Sequence, residues 1–137
     1  MRESLRAFVR LRARRRCEYC RFHEDDLPMW SFHVEHILPR KHGGIDDPDQ
    51  LAWSCHYCNL AKSSNLSGRD PETGRIVVLF NPRRQRWVRH FAWEGSYLVG
   101  LTPCGRATIA VLNINAPLRI DIRNLLIEAG LFPPEQT

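Results

Sequence analysis

Residues 33–62 read HVEHILPRKHGGIDDPDQLAWSCHYCNLAK, and no other stretch of the chain carries as much chemistry. Within it stand an adjacent Glu35 and His36, a Gly43-Gly44 turn, a Cys-x-x-Cys formed by Cys55 and Cys58, and a trailing Asn59 and Lys62. Pro39 and the glycines interrupt an apolar strand pattern, and DDPDQ prolongs the interruption through Pro48. The spacing therefore predicts a strand over 30–37, a loop, a short strand over 51–53 and a short helix over 58–64. That is a β-β-α unit wrapped around Glu35 and His36.

Just upstream, Cys17 and Cys20 repeat the Cys-x-x-Cys spacing. Four of the five cysteines thus fall into two pairs. In a chain whose N-terminus, MRESLRAFVRLRARRR, lacks the uninterrupted apolar core of a signal peptide, such pairs read as metal ligation before disulfides. Four thiolates in a tetrahedron are the usual structural zinc site. Such a site has no open coordination position, so its metal would hold the fold and leave the chemistry to other groups. Free or redox-active cysteines are the alternative. Cys104, left over, reads as a small buried apolar residue.

Glu35 and His36 offer that chemistry. A carboxylate suits a hard cation such as magnesium, and an imidazole titrating near neutrality can take a proton from water. Neighbours on an ideal strand point to opposite faces, so both can serve one cleft only if the strand twists or ends there. Pro39 makes an ending plausible. Taken alone, the pair reads equally as two polar residues on an exposed strand.

At 137 residues with 43% apolar content the chain fits one globular domain. Its net charge of +5 is unevenly spread. Residues 1–16 hold seven arginines against one glutamate, +6; residues 17–66 hold four basic against eight acidic residues, −4; residues 67–137 hold nine against six, +3. Basic flanks suit a polyanion and an acidic middle suits a cation. No apolar run approaches the ~18 residues of a membrane span, and the chain is expected in the cytoplasm.

Residues 3–14 carry Leu5, Phe8, Val9 and Leu11 at helical spacing. Arg2, Arg6, Arg10 and Arg14 would form one stripe, whose mutual repulsion a nearby phosphate backbone would reverse. A solvated basic face is the bland alternative. After Leu66, SGRDPETG reads as a turn-rich connector. Residues 75–80 read as a strand, and 87–93 with 97–101 as a hairpin around Glu94-Gly95-Ser96. Trp87, Phe91 and Trp93 would alternate into the core. Thr102 and Pro103 open a helix to about Leu112. A last helix follows Pro117, with Leu118, Ile122, Leu125, Leu126 and Ala129 on its buried face, and stops at Gly130.

Cys17-x-x-Cys20, VEHILP from Val34 to Pro39, Gly43-Gly44, Gln50-Leu51 and Cys55-x-x-Cys58-Asn59-x-x-Lys62 together resemble the four-cysteine, zinc-containing branch of the HNH endonucleases. DPETG, LFNPR, W-x-x-HF-x-W and GLTPCGRAT extend the likeness to a group of small bacterial HNH proteins. The resemblance implies an α+β fold: a zinc-stapled β-β-α-metal (His-Me finger) core over 17–66, with an N-terminal basic helix over 1–16, and a C-terminal hairpin and two helices over 67–137. It implies one structural zinc on the four cysteines and one magnesium or other divalent cation held by Glu35 and Asn59. His36 would be the general base for hydrolysis of DNA phosphodiesters. Gln50 stands where the family's middle Asn orients the base and shapes the loop, a departure of one methylene.

Arg6, Arg10, Arg14, Arg40, Lys41, Lys62, Arg83, Arg84 and Arg86 are the candidate nucleic-acid contacts, set against ordinary basic surface. His33 reads as a structural histidine; His42 and His56 read as loop or knuckle residues. DNA is the expected partner, with no membrane and no small-molecule substrate. Two other readings remain: a zinc-stapled binding module that has lost catalysis, and a toxin-type nuclease with a neutralising partner.

Overall fold

The computed structural model describes residues 1–135. The chain packs as two compact units, one formed by Met1–Leu66 with Asn81–Arg84, the other by Ser67–Phe80 with Gln85–Thr137. Helices and three two-stranded antiparallel sheets are interleaved, an α+β composition.

In the first unit, helix α1 (Glu3–Arg12) buries Leu5 and Val9. It ends earlier than its arginine stripe predicts, because Arg14 and Arg15 turn to left-handed φ of 55° and 62°. Arg14 is therefore off the helical stripe. Strands β1 (His33–His36) and β2 (Leu51–Ser54) pair with His36 opposite Leu51 and Glu35 opposite Ala52. β1 starts three residues later than expected. Trp30 N–H instead donates to Leu27 O at 3.1 Å, closing a turn. All of β2 is buried, and Trp53 joins Tyr19, Phe22 and Val9 in the core.

Helix α2 (His56–Lys62) follows β2 at once. It begins ahead of its predicted start because Cys55 Sγ caps it, accepting from Cys58 N–H at 3.4 Å. The last turn of α1 is tied to the β2 entry by Arg12, which donates to Pro48 O at 2.9 Å and Leu51 O at 2.8 Å. Residues 81–84 belong here because Arg83 pairs with Glu18 and donates to Leu51 O at 3.3 Å.

The second unit contains β3 (Ser67–Arg69) paired with β4 (Ile76–Val78), a one-turn helix α3 (Trp87–His90), the hairpin β5 (Phe91–Glu94) and β6 (Tyr97–Gly100), α4 (Pro103–Leu112) and α5 (Pro117–Glu128). Three expectations change. The start of the supposed connector is a strand, β3, because Asp70 organises its turn, accepting from Glu72 N–H at 3.0 Å and Thr73 Oγ1 at 2.7 Å. The hairpin begins at Phe91, since Trp87–His90 coils into α3; Trp87 and Phe91 still pack in the core, their rings 5.2 Å apart.

The third change concerns α5, whose buried stripe is rotated from the one predicted, leaving Ile122 and Leu126 half-buried and Ala129 exposed. Leu118 and Leu125 are 57% and 68% exposed, while Arg119, Ile120 and Arg123 are buried. The arginines serve as donors to carbonyls that would otherwise be orphaned: Arg119 bonds Leu112 O at 2.7 Å, and Arg123 bonds Ser96 O at 2.6 Å and Ile114 O at 2.8 Å. Among the described residues no helix is long and apolar enough to cross a membrane.

Candidate metal centre and active site

Cys17, Cys20, Cys55 and Cys58 are all buried, and their sulfur atoms lie within 4.8 Å of one another. Cys20 Sγ and Cys55 Sγ are 3.6 Å apart. Each pair folds as a knuckle in which the second cysteine's N–H points at the first sulfur, at 3.5 Å for Cys20 to Cys17 and 3.4 Å for Cys58 to Cys55. Burial, then hydrogen bonding to the neighbouring thiols, pushes the Cys55 and Cys58 thiols well up. Four soft ligands brought together at one buried point, with backbone N–H groups directed at sulfur, fit a zinc ion, and the set can hold one. Among the described residues it is the one cluster of three or more His, Cys, Asp or Glu groups placed to hold a metal.

Strand alternation separates Glu35 from His36. Glu35 turns inward and is 4% exposed. Its Oε2 accepts from Tyr19 Oη at 2.6 Å, and its Oε1 lies 2.5 Å from Lys62 Nζ without receiving a well-directed hydrogen bond. Burial, reinforced by the Glu35 charge, holds the Tyr19 phenol well above its ordinary range, so it stays a donor. Lys62 also donates to Ile37 O at 3.3 Å, fastening α2 beneath the end of β1.

His36 faces the other way, towards the loop. Its Nε2 lies 2.8 Å from Asp46 Oδ1, and Arg40 donates to the same oxygen at 2.6 Å. These bonds, that to His36 foremost, hold the Asp46 carboxyl below its usual range. Asp46 escaped the sequence reading. The usable signal was its place just beyond Gly43-Gly44, where a tight return brings the loop back over the strand. Gly43 takes φ +94°, and a Cβ on Gly44 would stand 1.7 Å from Leu38 O, so the return demands both glycines. Gln50 spans the same loop, its Oε1 accepting from Ile45 N–H at 3.3 Å and its backbone O from Ile37 N–H at 2.9 Å. Asn59 lies half-buried on α2, one turn after Cys55 and one before Lys62.

The basic candidates divide sharply. Lys62 is buried on Glu35 and Arg83 is engaged by Glu18 and Leu51 O, so neither presents its charge to solvent. Arg10 is bound by Glu24 at 2.8 Å and Arg40 by Asp46. Arg6, Arg14, Lys41, Arg84 and Arg86 are exposed. His56 stacks on Trp30 with ring centroids 4.3 Å apart and 7° between planes, and His33 lies 6.3 Å from His56. His42 is exposed in the loop.

Residues 17–65 match the family model described as HNH endonuclease. The matched segment takes in both cysteine pairs, β1, the loop, β2 and α2. No curated protein and no solved structure matches the chain.

Proposed function

We propose that this chain, which carries an HNH endonuclease domain over residues 17–65, is a metal-dependent endonuclease hydrolysing DNA phosphodiesters in the cytoplasm, with β1, β2 and α2 as a β-β-α-metal (His-Me finger) core. The observation that carries the reading is His36 held by Asp46 at 2.8 Å within the matched segment. A base whose ring is fixed by a carboxylate at one nitrogen is oriented for proton transfer at the other. With Nε2 directed at Asp46, the neutral imidazole places its proton there and its lone pair on Nδ1. Nδ1 then takes the proton of the attacking water, and Asp46 stabilises the imidazolium that forms.

Glu35 and Asn59 are the residues that would hold the divalent cation. Their carboxylate and amide oxygens are hard donors and Glu35 Oε1 lacks a directed hydrogen bond, but Glu35 turns inward while His36 faces the loop, so holding a cation beside His36 requires the Glu35 carboxylate to leave Lys62 and turn towards the loop. Such an ion, when bound, supplies Lewis-acid neutralisation of the scissile phosphate and the departing oxygen. It must compete with the Lys62 ammonium for Glu35. Gln50 keeps the loop closed over His36, and exposed Lys41 and Arg84 are left to meet backbone phosphates. Zinc on the four cysteines holds the fold.

Supercoiled plasmid incubated with magnesium or manganese tests the reading. Wild type should nick or linearise it; His36→Ala should not, while zinc content and DNA binding persist. Undiminished cutting by the pure variant sinks the assignment. Glu35's neutralisation by Lys62 favours one second reading, a zinc-stapled module that binds nucleic acid without cutting it. Binding that is indifferent to EDTA, with no cleavage in any metal, is its signature.

A further inference from the structure

A cavity of about 420 Å³ opens in the first unit away from His36, lined among others by Arg6, Arg10, Glu24, Trp30, Phe32 and Trp53. Its volume is that of a small-ligand site. Trp30 is the unusual member. Although its ring lies flat on His56, it remains 47% exposed and lines the cavity. An exposed indole is ordinarily free to change rotamer; this one is braced by an imidazole whose own position is fixed at the first residue of α2, next to the cysteine centre. Holding a large apolar face open to water by a built support serves folding poorly and serves stacking well.

The cations around it are graded. Arg10 and Arg15 are satisfied by Glu24 and Asp25. Arg6 is exposed, has no carboxylate partner among the described residues, and is held in place by donating to Phe32 O at 3.3 Å with its guanidinium 4.8 Å over the Trp53 ring. A fixed aromatic face beside a fixed, unneutralised guanidinium matches one nucleotide unit: base on the indole, phosphate on the arginine.

We propose that Trp30, braced by His56, and Arg6 form a stacking subsite for an unpaired nucleobase of single-stranded DNA. The inference rests on the nucleic-acid-binding part of the functional reading and is independent of cleavage. Bases inside an intact duplex are stacked on one another and cannot present a face to Trp30, so the subsite selects frayed, gapped or looped substrate.

The test uses the full zinc-loaded chain and a fluorescein-labelled twelve-nucleotide oligothymidylate, with a blunt duplex of equal length as control. Trp30→Ala should weaken binding to the single strand about tenfold or more, and Trp30→Phe should retain it within about threefold. Arg6→Gln should weaken it as well, and the duplex should bind wild type and both Trp30 variants alike. Tryptophan emission should be quenched by the oligonucleotide in wild type and much less in Trp30→Phe. No affinity of wild type for the single strand, equal losses on strand and duplex, or a Trp30→Ala protein that binds like wild type would each overturn the subsite. An oligouridylate arm reports RNA: preference for it over the deoxy strand overturns the assignment to DNA. The same measurements on His36→Ala keep the two ideas apart, since its single-strand binding should be unchanged whatever its cleavage does.

Discussion

Lys62 Nζ lies 2.5 Å from Glu35 Oε1, with side-chain exposures of 3% and 4%. The ammonium is the resident counter-charge of a carboxylate that is otherwise sealed from water, and it links α2 to β1 beneath the loop.

Removing that ammonium leaves a buried, unpaired carboxylate. Lys62→Met should cost about 3–5 kcal/mol in urea unfolding of the zinc-loaded protein. The double variant Glu35→Gln/Lys62→Met should recover much of that loss, because no charge is left behind; strictly additive losses would refute the coupling. Manganese should raise the thermal midpoint of Lys62→Met more than that of wild type, since the ion no longer competes with a tethered cation.

In the proposed mechanism Asp46 acts through His36, so its effect should appear in turnover and not in binding. Asp46→Asn should lower kcat about tenfold to hundredfold with DNA affinity unchanged. In a His36→Ala background the same change should do nothing further. Nitrogen-15 shifts of the His36 ring report the tautomer directly: Nε2–H in wild type, a mixture in Asp46→Asn. A wild-type ring protonated on Nδ1 would contradict the proposed base atom.

The β-β-α order and the cysteine cluster were legible because each rests on local rules: turn residues between apolar runs, and ligand pairs at fixed spacing. Pro39 pointed to a strand end that would let Glu35 and His36 share a cleft, whereas β1 keeps its alternation through His36 and sets the two on opposite sides, and their partners were not legible at all. Tyr19, Lys62 and Asp46 reach Glu35 and His36 from 16, 27 and 10 residues away, and nothing in the local pattern announces such contacts. The exposed stripe of α5 misled for a related reason. Leu118 and Leu125 look like core by periodicity, yet unsatisfied carbonyls at Leu112, Ser96 and Ile114 draw Arg119 and Arg123 inward instead. Hydrogen-bond demand from carbonyls elsewhere in the fold is invisible to hydropathy. Trp30 likewise reads as the first residue of a strand, where the structure closes a turn and stacks its ring on His56.

Chelation should separate the two kinds of cysteine. Stripping zinc, or Cys58→Ser, should abolish the cooperative unfolding transition of the first unit and lower helical circular dichroism. Cys104→Ser, outside the cluster, should leave one zinc per chain and an unchanged transition. Full secondary structure in the metal-free protein would show that the thiols alone hold the unit.

Asp70 gives the second unit an acid signature. Its carboxylate is enclosed by Arg106 at 2.9 and 3.0 Å, Thr73 Oγ1 and Glu72 N–H, and the Arg106 bond above all holds the carboxyl well below the usual range. Because the folded pKa is depressed, the stabilisation is complete above the unfolded value of about 4 and is lost as pH falls below it towards the folded one. Asp70→Asn should therefore be less stable than wild type at pH 7, with the gap closing as the solution is acidified below about pH 4. A gap that widens on acidification would contradict the ion pair as its source.

Helix α2 sets the first unit's tolerance to change in chain length. Cys55 at its cap, Asn59 one turn on and Lys62 at its end share one rigid rod, and each answers to a different neighbour: the cysteine cluster, the proposed cation site and the Glu35 carboxylate. A substitution at any one disturbs one relationship. A single inserted or deleted residue between Cys58 and Lys62 would swing everything beyond it by about 100° and 1.5 Å, dislodging Lys62 from Glu35 while the cysteines stay clustered. The reading frame of seven residues is thus a ruler, and drift by point mutation is open to it where drift by length is not.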